Sequence, residues 1–381
     1  LKKAQCKIGK PHIALLLTGG GARAAYQVGV LKAIALSLPR SAPLPFKIIN
    51  GTSAGAINST GLACYSSNMH LAIRKIEWIW KNFHTNMVYK SSLFGAFGHL
   101  TNNVMRSFQA DYLNHPPASL LDNTPLRQLL EEVMDLARID RNIHRGFIDA
   151  LSVTVSSYSS GKSVAFFQAK DAKPWQRAKR EGIQTQLNID HLMASSAIPM
   201  VFPSVRVKHN YYGDGSIHQL SPLSPSIHLG ASKIFIIGVE QPKVQKPLGY
   251  EPHFPGMSVV AGHLLDSIFS DTLQSDLERL ERVNRTISLL PAREKHKELK
   301  RVDTLVVNPS QNFNELALDF YDDLPIAVKL LLRTIGVKKH SQSSLTSYLL
   351  FEKSYTQELI KIGYEDGLAR LDEIKAFLEL D

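Results

Sequence analysis

The stretch LLLTGGGARAAYQVGVL, Leu15–Leu31, sets three consecutive glycines between an apolar run and a segment of helical spacing. HIALLLTG (His12–Gly19) is a buried strand and ARAAYQVGVLKAIALSL (Ala22–Leu38) a helix of good helix formers. FKIING (Phe46–Gly51) is a second short strand, and AGAINSTGLACY (Ala54–Tyr65) a helix of small residues. A strand–helix–strand–helix order predicts parallel strands with helices on the faces of an α/β sheet. A glycine turn that opens a helix offers free backbone N–H groups to negative charge. That charge is either a cofactor phosphate or a transient oxyanion, and the rest of the chain has to decide.

With 381 residues, 44% hydrophobic and 20% charged, the chain has a globular composition and enough length for one large domain or two smaller ones. No apolar run is long enough to span a membrane. The one after the basic start LKKAQCKIGKPH is too short for a secretory signal and reads better as a strand. Two cysteines, Cys6 and Cys64, are too few for a disulfide framework or a four-ligand zinc site, and fit a reducing compartment. The net charge of +10 is unevenly placed: residues 1–76 hold ten Lys and Arg and no acid, which equals the whole excess. Such a basic lobe attracts an anionic partner or is a solvated surface.

Helical patterns continue through LAIRKIEWIWKNF (Leu71–Phe83), with Trp78 and Trp80 expected in or against the core, and TPLRQLLEEVMDLA (Thr124–Ala137). Residues 84–123 between them lack a period, and MVYKSSLFGAFGHL (Met87–Leu100) is a candidate cap over a site. Alternation on both sides of Ser159-Ser160-Gly161 predicts a hairpin, and Asn188 is placed to cap a helix that stops before Pro199. KIFIIGVE (Lys233–Glu240) is a buried strand, residues 241–256 with four prolines form a boundary or surface loop, and VDTLVVNP (Val302–Pro309) is a late strand among helical segments. LPIAVKLLLRTIGVKK (Leu324–Lys339) reads as a core helix with a basic end, or as an interfacial one. The histidines show no metal-ligand spacing.

Gly19 to Ala24 satisfies the dinucleotide pattern G-x-G-x-x-[GA] after a strand. That reading also needs an acid about twenty residues on, and none exists; only Arg40, near a 2′-phosphate, would rescue it. An oxyanion hole instead needs a nucleophile. NGTSAGAIN (Asn50–Asn58) supplies one: Gly51 to Gly55 is G-x-S-x-G between a strand and a helix, the setting of a nucleophile elbow, with Ser53 at its apex. Ser53 lies on only the second strand, too early for an ordinary α/β-hydrolase, although His218, His228, His253 and His263 follow it. The other candidate base is Asp214, set between two glycines in NYYGDGSIHQLSP (Asn210–Pro222).

Together these pieces resemble the patatin-like phospholipases, lipid acyl hydrolases with a Ser–Asp dyad and no catalytic histidine. The family's D-G-G-G-x-R-G is similar to Thr18–Ala24, its G-x-S-x-G to Gly51–Gly55, its A-S-x-A-x-P-x-x-F-P to Ala194–Pro203 and its D-G-[GA] to Asp214–Ser216. Thr18, Ala24 and Ser216 depart from the pattern without removing nucleophile or base. The resemblance implies a three-layer α/β/α fold with a mainly parallel sheet. It places the catalytic domain at residues 10–240, with a largely helical C-terminal extension, 241–381, packed on it.

It further implies Ser53 as nucleophile, Asp214 as base, an oxyanion hole at Gly20, Gly21 and Ala22, and supporting roles for Gly19, Arg23, Gly51, Gly55 and Gly215. Arg23 either orders the loop, meets an anionic headgroup or sits on a helix surface. Neither cofactor nor metal is implied. The partner is a membrane phospholipid or lysophospholipid met by peripheral contact, not nucleic acid, and the need for a protein activator stays open. The implied location is bacterial, cytoplasmic or peripheral to the membrane, with secretion as an effector still allowed. A carboxylate has a reference pKa of about 3.9 and is a weak base, so Asp214 is expected to be buried with few donors. A catalytically silent lipid-binding protein and a nucleotide-binding oxidoreductase are the competing readings.

Overall fold

The computed structural model describes residues 12–90, 119–199, 201–242, 260, 266–267, 271–290, 300–334, 337 and 344–380. Among the described residues, ten strands form one sheet: β1 (Ile13–Leu17), β2 (Ile48–Thr52), β3 (Ala150–Ser157), β4 (Ser163–Ala169), β5 (Trp175–Gln176), β6 (Arg180–Gln184), β7 (Val205–Val207), β8 (Asn210–Asp214), β9 (Lys233–Ile237) and β10 (Asp303–Val307). β10, β9, β1, β2 and β3 lie side by side in that order, all parallel. Beyond β3 the sheet becomes mixed. β4 returns antiparallel through the expected hairpin, with Gly161 at φ 62, β6 runs parallel to β4, and β5 closes the edge antiparallel. The parallel character thus belongs to the half joined by long crossovers, whereas a tight turn forces its two strands to run opposite ways.

Both faces of the parallel half are covered, as such sheets require. Along β1, Ile13, Leu15 and Leu17 enter the larger apolar cluster, while Ala14 and Leu16 face a second one with Leu273 and Leu280. On the first face lie α1 (Ala25–Leu36), α2 (Ala54–Cys64) and α3 (Met69–Lys81). α1 is buried nearly all round, so it has no polar stripe. Its back meets the helix Lys353–Ala369 at main-chain distance: a Cβ on Gly29 would lie 2.0 Å from the Ile360 carbonyl oxygen, and one on Gly363 2.1 Å from that of Tyr26.

The chain beyond residue 240 therefore supplies both a sheet strand, β10, and a helix of the main core. The Pro-rich stretch 241–256 and the candidate cap Met87–Leu100 lie mostly outside the described residues. In α3, Trp80 is buried, but Trp78 is 64% exposed and does not join the core as expected, because it falls on the outer side of the helix with Arg74 and Lys75. The helix Ile326–Thr334 buries Val328 and Leu332 and leaves Ile326 and Leu330 exposed. Among the described residues, no helix is long and apolar enough to cross a membrane.

Candidate active site

Two strands share one edge of β3. β4 occupies the other edge, so β2 and β8 follow each other along the free one. β2 runs parallel until Thr52 pairs with Thr154, and β8 takes over antiparallel with Asp214 paired to Val155. Ser53 is the next residue after Thr52. Adjacent register positions on β3 therefore bring Ser53 and Asp214, 161 residues apart in sequence, to the same point. The Asp214 N–H donates to the Ala197 carbonyl at 2.9 Å, which ties β8 to the segment after the helix Ile189–Ser195.

Ser53 has φ 55 and ψ −130 and is almost completely buried. A side-chain-bearing residue held there costs about 1–3 kcal/mol, so its surroundings must enforce the turn. They do so through Ser195. The Ser53 N–H donates to Ser195 Oγ at 2.9 Å, and Ser195 Oγ donates to the Thr154 carbonyl at 2.6 Å. Ser195 ends a helix whose start is fixed by reciprocal hydrogen bonds between Asn188 and His191. Gly51 lies within β2, between Leu17 and Val153. Gly55 rests on the end of β1: a Cβ there would lie 2.4 Å from the Leu17 carbonyl oxygen.

Asp214 is fully buried. Its Oδ1 accepts the Ser216 N–H at 2.9 Å, and Gly215 continues the chain into a short 3-10 turn. Burial pushes its pKa up to about 6, against the opposing pull of the Ser53 hydroxyl and the Ser216 donors. The Ser53 hydroxyl is thus near enough to act on the carboxylate, although Oδ2 receives no hydrogen bond of full geometry. Loose contacts of this kind are common before a substrate tightens them. Among the described residues, no histidine side chain hydrogen-bonds to Ser53 or Asp214.

The glycine loop leaves β1 through Gly19 and enters a 3-10 turn, Gly21–Ala24, that runs into α1. Gly21 has φ 54, and the Arg23 N–H returns to the Gly20 carbonyl at 3.1 Å. Among the described residues, no acceptor takes the N–H groups of Gly20, Gly21 or Ala22. Arg23 is fully buried, which rules out a helix-surface arginine. Its Nε and Nη2 donate to Ser347 Oγ at 2.9 and 2.6 Å, and Nη2 donates to Asn314 Oδ1 at 2.6 Å. The guanidinium lies 3.7 Å from the Tyr348 ring centroid, and Nη1 is 3.6 Å from Asp266. The sequence reading missed Ser347, Asn314 and Tyr348. No motif marks them, and they reach the loop only through the folded chain.

Gly21 and Ser53 line a cavity of about 320 Å³. Its walls come from α2, α3 and the helix Thr124–Val133, with Ile57, Ile76, Phe83, Leu126, Leu130 and Phe202 among them. Asn58 is a polar group on this wall, and its Oδ1 is occupied by the indole N–H of Trp80 at 2.8 Å. Lys75 and the exposed Trp78 stand on the outer rim. The arrangement sets one buried hydroxyl, with a buried carboxylate and free main-chain donors nearby, on the wall of a largely apolar cavity.

A family model described as Patatin-like phospholipase matches residues 15–226, more than half of the chain. No relative matches among curated proteins. Among solved structures, VipD from Legionella pneumophila is similar at 14% identity and a TM-score of 0.38, over 95% of this chain and 67% of that one. A human GIVD cytosolic phospholipase A2, solved with methyl γ-linolenyl fluorophosphonate and terbium chloride, is similar at 12% identity and a TM-score of 0.43. This second match covers 97% of this chain but only 59% of the human one.

Proposed function

Because the chain belongs to the patatin-like phospholipase family, we propose that it hydrolyses fatty-acyl esters of phospholipids or lysophospholipids with Ser53 as nucleophile and Asp214 as base. The observation that carries this reading is the shared edge of β3, which delivers both side chains to one buried point. Ionised Asp214 takes the Ser53 Oγ proton as Oγ attacks the ester carbonyl. The carbonyl oxygen becomes an oxyanion facing the N–H groups of Gly20, Gly21 and Ala22. One such donor is worth about 10²–10³ in rate. Asp214 then returns its proton to the departing alcohol, which leaves an acyl-serine. A water that gives its proton to Asp214 attacks the acyl-serine, and Asp214 passes that proton to Ser53 Oγ as the ester bond breaks and the fatty acid leaves.

Burial helps this chemistry. A carboxylate whose pKa has risen to about 6 holds a proton more firmly than an exposed one, yet is still ionised near neutral pH. The apolar cavity lined by Ser53 suits an acyl chain, and Lys75 and Trp78 on its rim suit the boundary of an anionic lipid surface. The acid-free basic stretch of residues 1–76 adds to that attraction. Neither a cofactor nor a metal is needed for any step.

Lipid mass spectrometry after incubation with mixed phospholipids and lysophospholipids tests the proposal. The expected products are free fatty acid and the matching lysolipid or glycerophospho-alcohol, absent with Ser53→Ala. Release at an equal rate from both proteins would remove Ser53 from the mechanism, and no release by the unaltered protein would remove the activity.

A further inference from the structure

The opposite face of the sheet holds a second cavity, of about 830 Å³, that shares no residue with the first. Its floor uses Leu223, Ala231, Leu280 and Val302, all members of the second apolar cluster. Its walls are cationic. Arg177 and Arg180 come from the β5–β6 edge, Arg279 from the helix Asp271–Leu289 and Lys300 from the approach to β10, against one carboxylate among the described lining residues, Asp276.

Two guanidinium groups converge on one hydroxyl: Arg180 Nη1 and Arg279 Nη1 donate to Ser221 Oγ at 3.1 and 3.2 Å. Like charges drawn this close repel, and the neighbouring carboxylate, Asp276 on the helix of Arg279, supplies one negative charge against the two. Asp276 offsets only part of this charge. Its Oδ2 accepts the Leu223 N–H at 3.0 Å, its Oδ1 is 3.7 Å from Arg279 Nη1, and burial holds its pKa above the usual range. The buried Arg180 Nε has no partner among the described residues. His228 lies on the same wall, stacked on Trp175 with ring centroids 4.8 Å apart. Burial, then Arg177 and Arg180, lower its pKa, so it adds a neutral ring with hydrogen-bonding nitrogens.

We propose that this cavity binds a multiply phosphorylated anion, with Arg180, Arg279 and Lys300 as its principal ligands. Guanidinium forks and phosphate oxygens match in geometry as well as charge, and a small dianion would leave most of the cavity empty. The bound group is either a free polyphosphorylated metabolite or the phosphorylated headgroup of a lipid. Because the site lies across the sheet from Ser53, its occupancy does not depend on ester hydrolysis.

Isothermal titration with inositol hexakisphosphate, and co-sedimentation with phosphatidylcholine vesicles with and without a phosphatidylinositol bisphosphate, test the site on the whole chain. Arg279→Gln with Lys300→Gln is the primary variant, since both side chains are exposed and the fold does not rest on them. Arg180→Gln is the second variant, checked by its melting temperature. Each lost charge-assisted contact is expected to weaken binding by about tenfold. Saturable binding of the soluble probe that falls in the variants supports the site and a free ligand. Sedimentation that needs the phosphoinositide and falls in the variants supports the site and a lipid headgroup. No binding of either probe, or binding that the substitutions leave unchanged, overturns the proposal.

Discussion

The chain makes two glycine turns at the ends of neighbouring strands, and they are held in opposite ways. The turn after β2, which carries Ser53, is enforced nearby: Ser195 grips its N–H, Thr154 grips Ser195, and Gly55 lies against the end of β1. The turn after β1, which carries Gly20 to Ala22, is held by residues about three hundred positions away. Ser347, Asn314 and Tyr348 enclose Arg23, and a Cβ on Gly21 would meet the Tyr348 carbonyl oxygen at 2.4 Å. One turn is a property of the sheet. The other depends on the C-terminal region being in place. A reactive hydroxyl and its charge-stabilising donors can thus be assembled by independent supports, and each support can be tested alone.

The largest effects are expected at the shared point. Ser53→Ala should lower kcat for fatty-acyl ester hydrolysis by at least about 10³ with little change in melting temperature, measured by steady-state kinetics and calorimetry. Asp214→Asn should cost about as much activity yet raise stability at neutral pH. The native pKa of Asp214 is raised, so its carboxyl favours folding while protonated, and that contribution is lost as pH climbs from the ordinary carboxylate value, 3.8, through about 6. The Asn variant should therefore melt with the parent in acid and gain about 2–3 kcal/mol above pH 6, by denaturant titration. Equal stability at every pH would contradict a buried, desolvated base. For the unaltered enzyme, kcat/KM should fall on the acid side with an apparent pKa near 6 instead of 4.

Next come the two supports. Arg23→Ala should destabilise the chain by about 2–4 kcal/mol, since it leaves a cavity against the Tyr348 ring and removes the hydrogen bonds to Ser347 and Asn314. Ser347→Ala removes one member of the remote clamp and should lower kcat by about tenfold with a smaller stability loss. Unchanged kcat in Ser347→Ala would erase the contrast between the two turns. Smallest is Ser195→Ala, expected to cost about 1–3 kcal/mol and a few-fold in kcat as the strained Ser53 backbone relaxes. If Ser195→Ala were worse than Arg23→Ala, the local support would be the weaker one.

The same contrast explains what could be read in the residues alone. The strand–turn–helix settings around Gly19–Gly21 and Gly51–Gly55 are local, so their periodicity and glycines were legible, as were the Asn188 cap and the hairpin at Gly161. Asp214 was visible through its flanking glycines, but its reason for meeting Ser53 was not. That reason is a register on β3, and register arises between strands far apart in sequence. The partners of Arg23 were invisible for the same reason, as was the cluster of Arg180 and Arg279 on Ser221. Trp78 misled because spacing of apolar residues marks the inner side of a helix but not the rim of a channel.

The close seam between α1 and the helix Lys353–Ala369 has its own consequence. With Gly29 and Gly363 at the crossing, no layer of side chains lies between the two backbones to rearrange if one departs. A chain cut ahead of Lys353 would open a trench of main chain and apolar wall along the whole back of α1. Such a truncated product should be recovered from cells as aggregate, not as a smaller working enzyme.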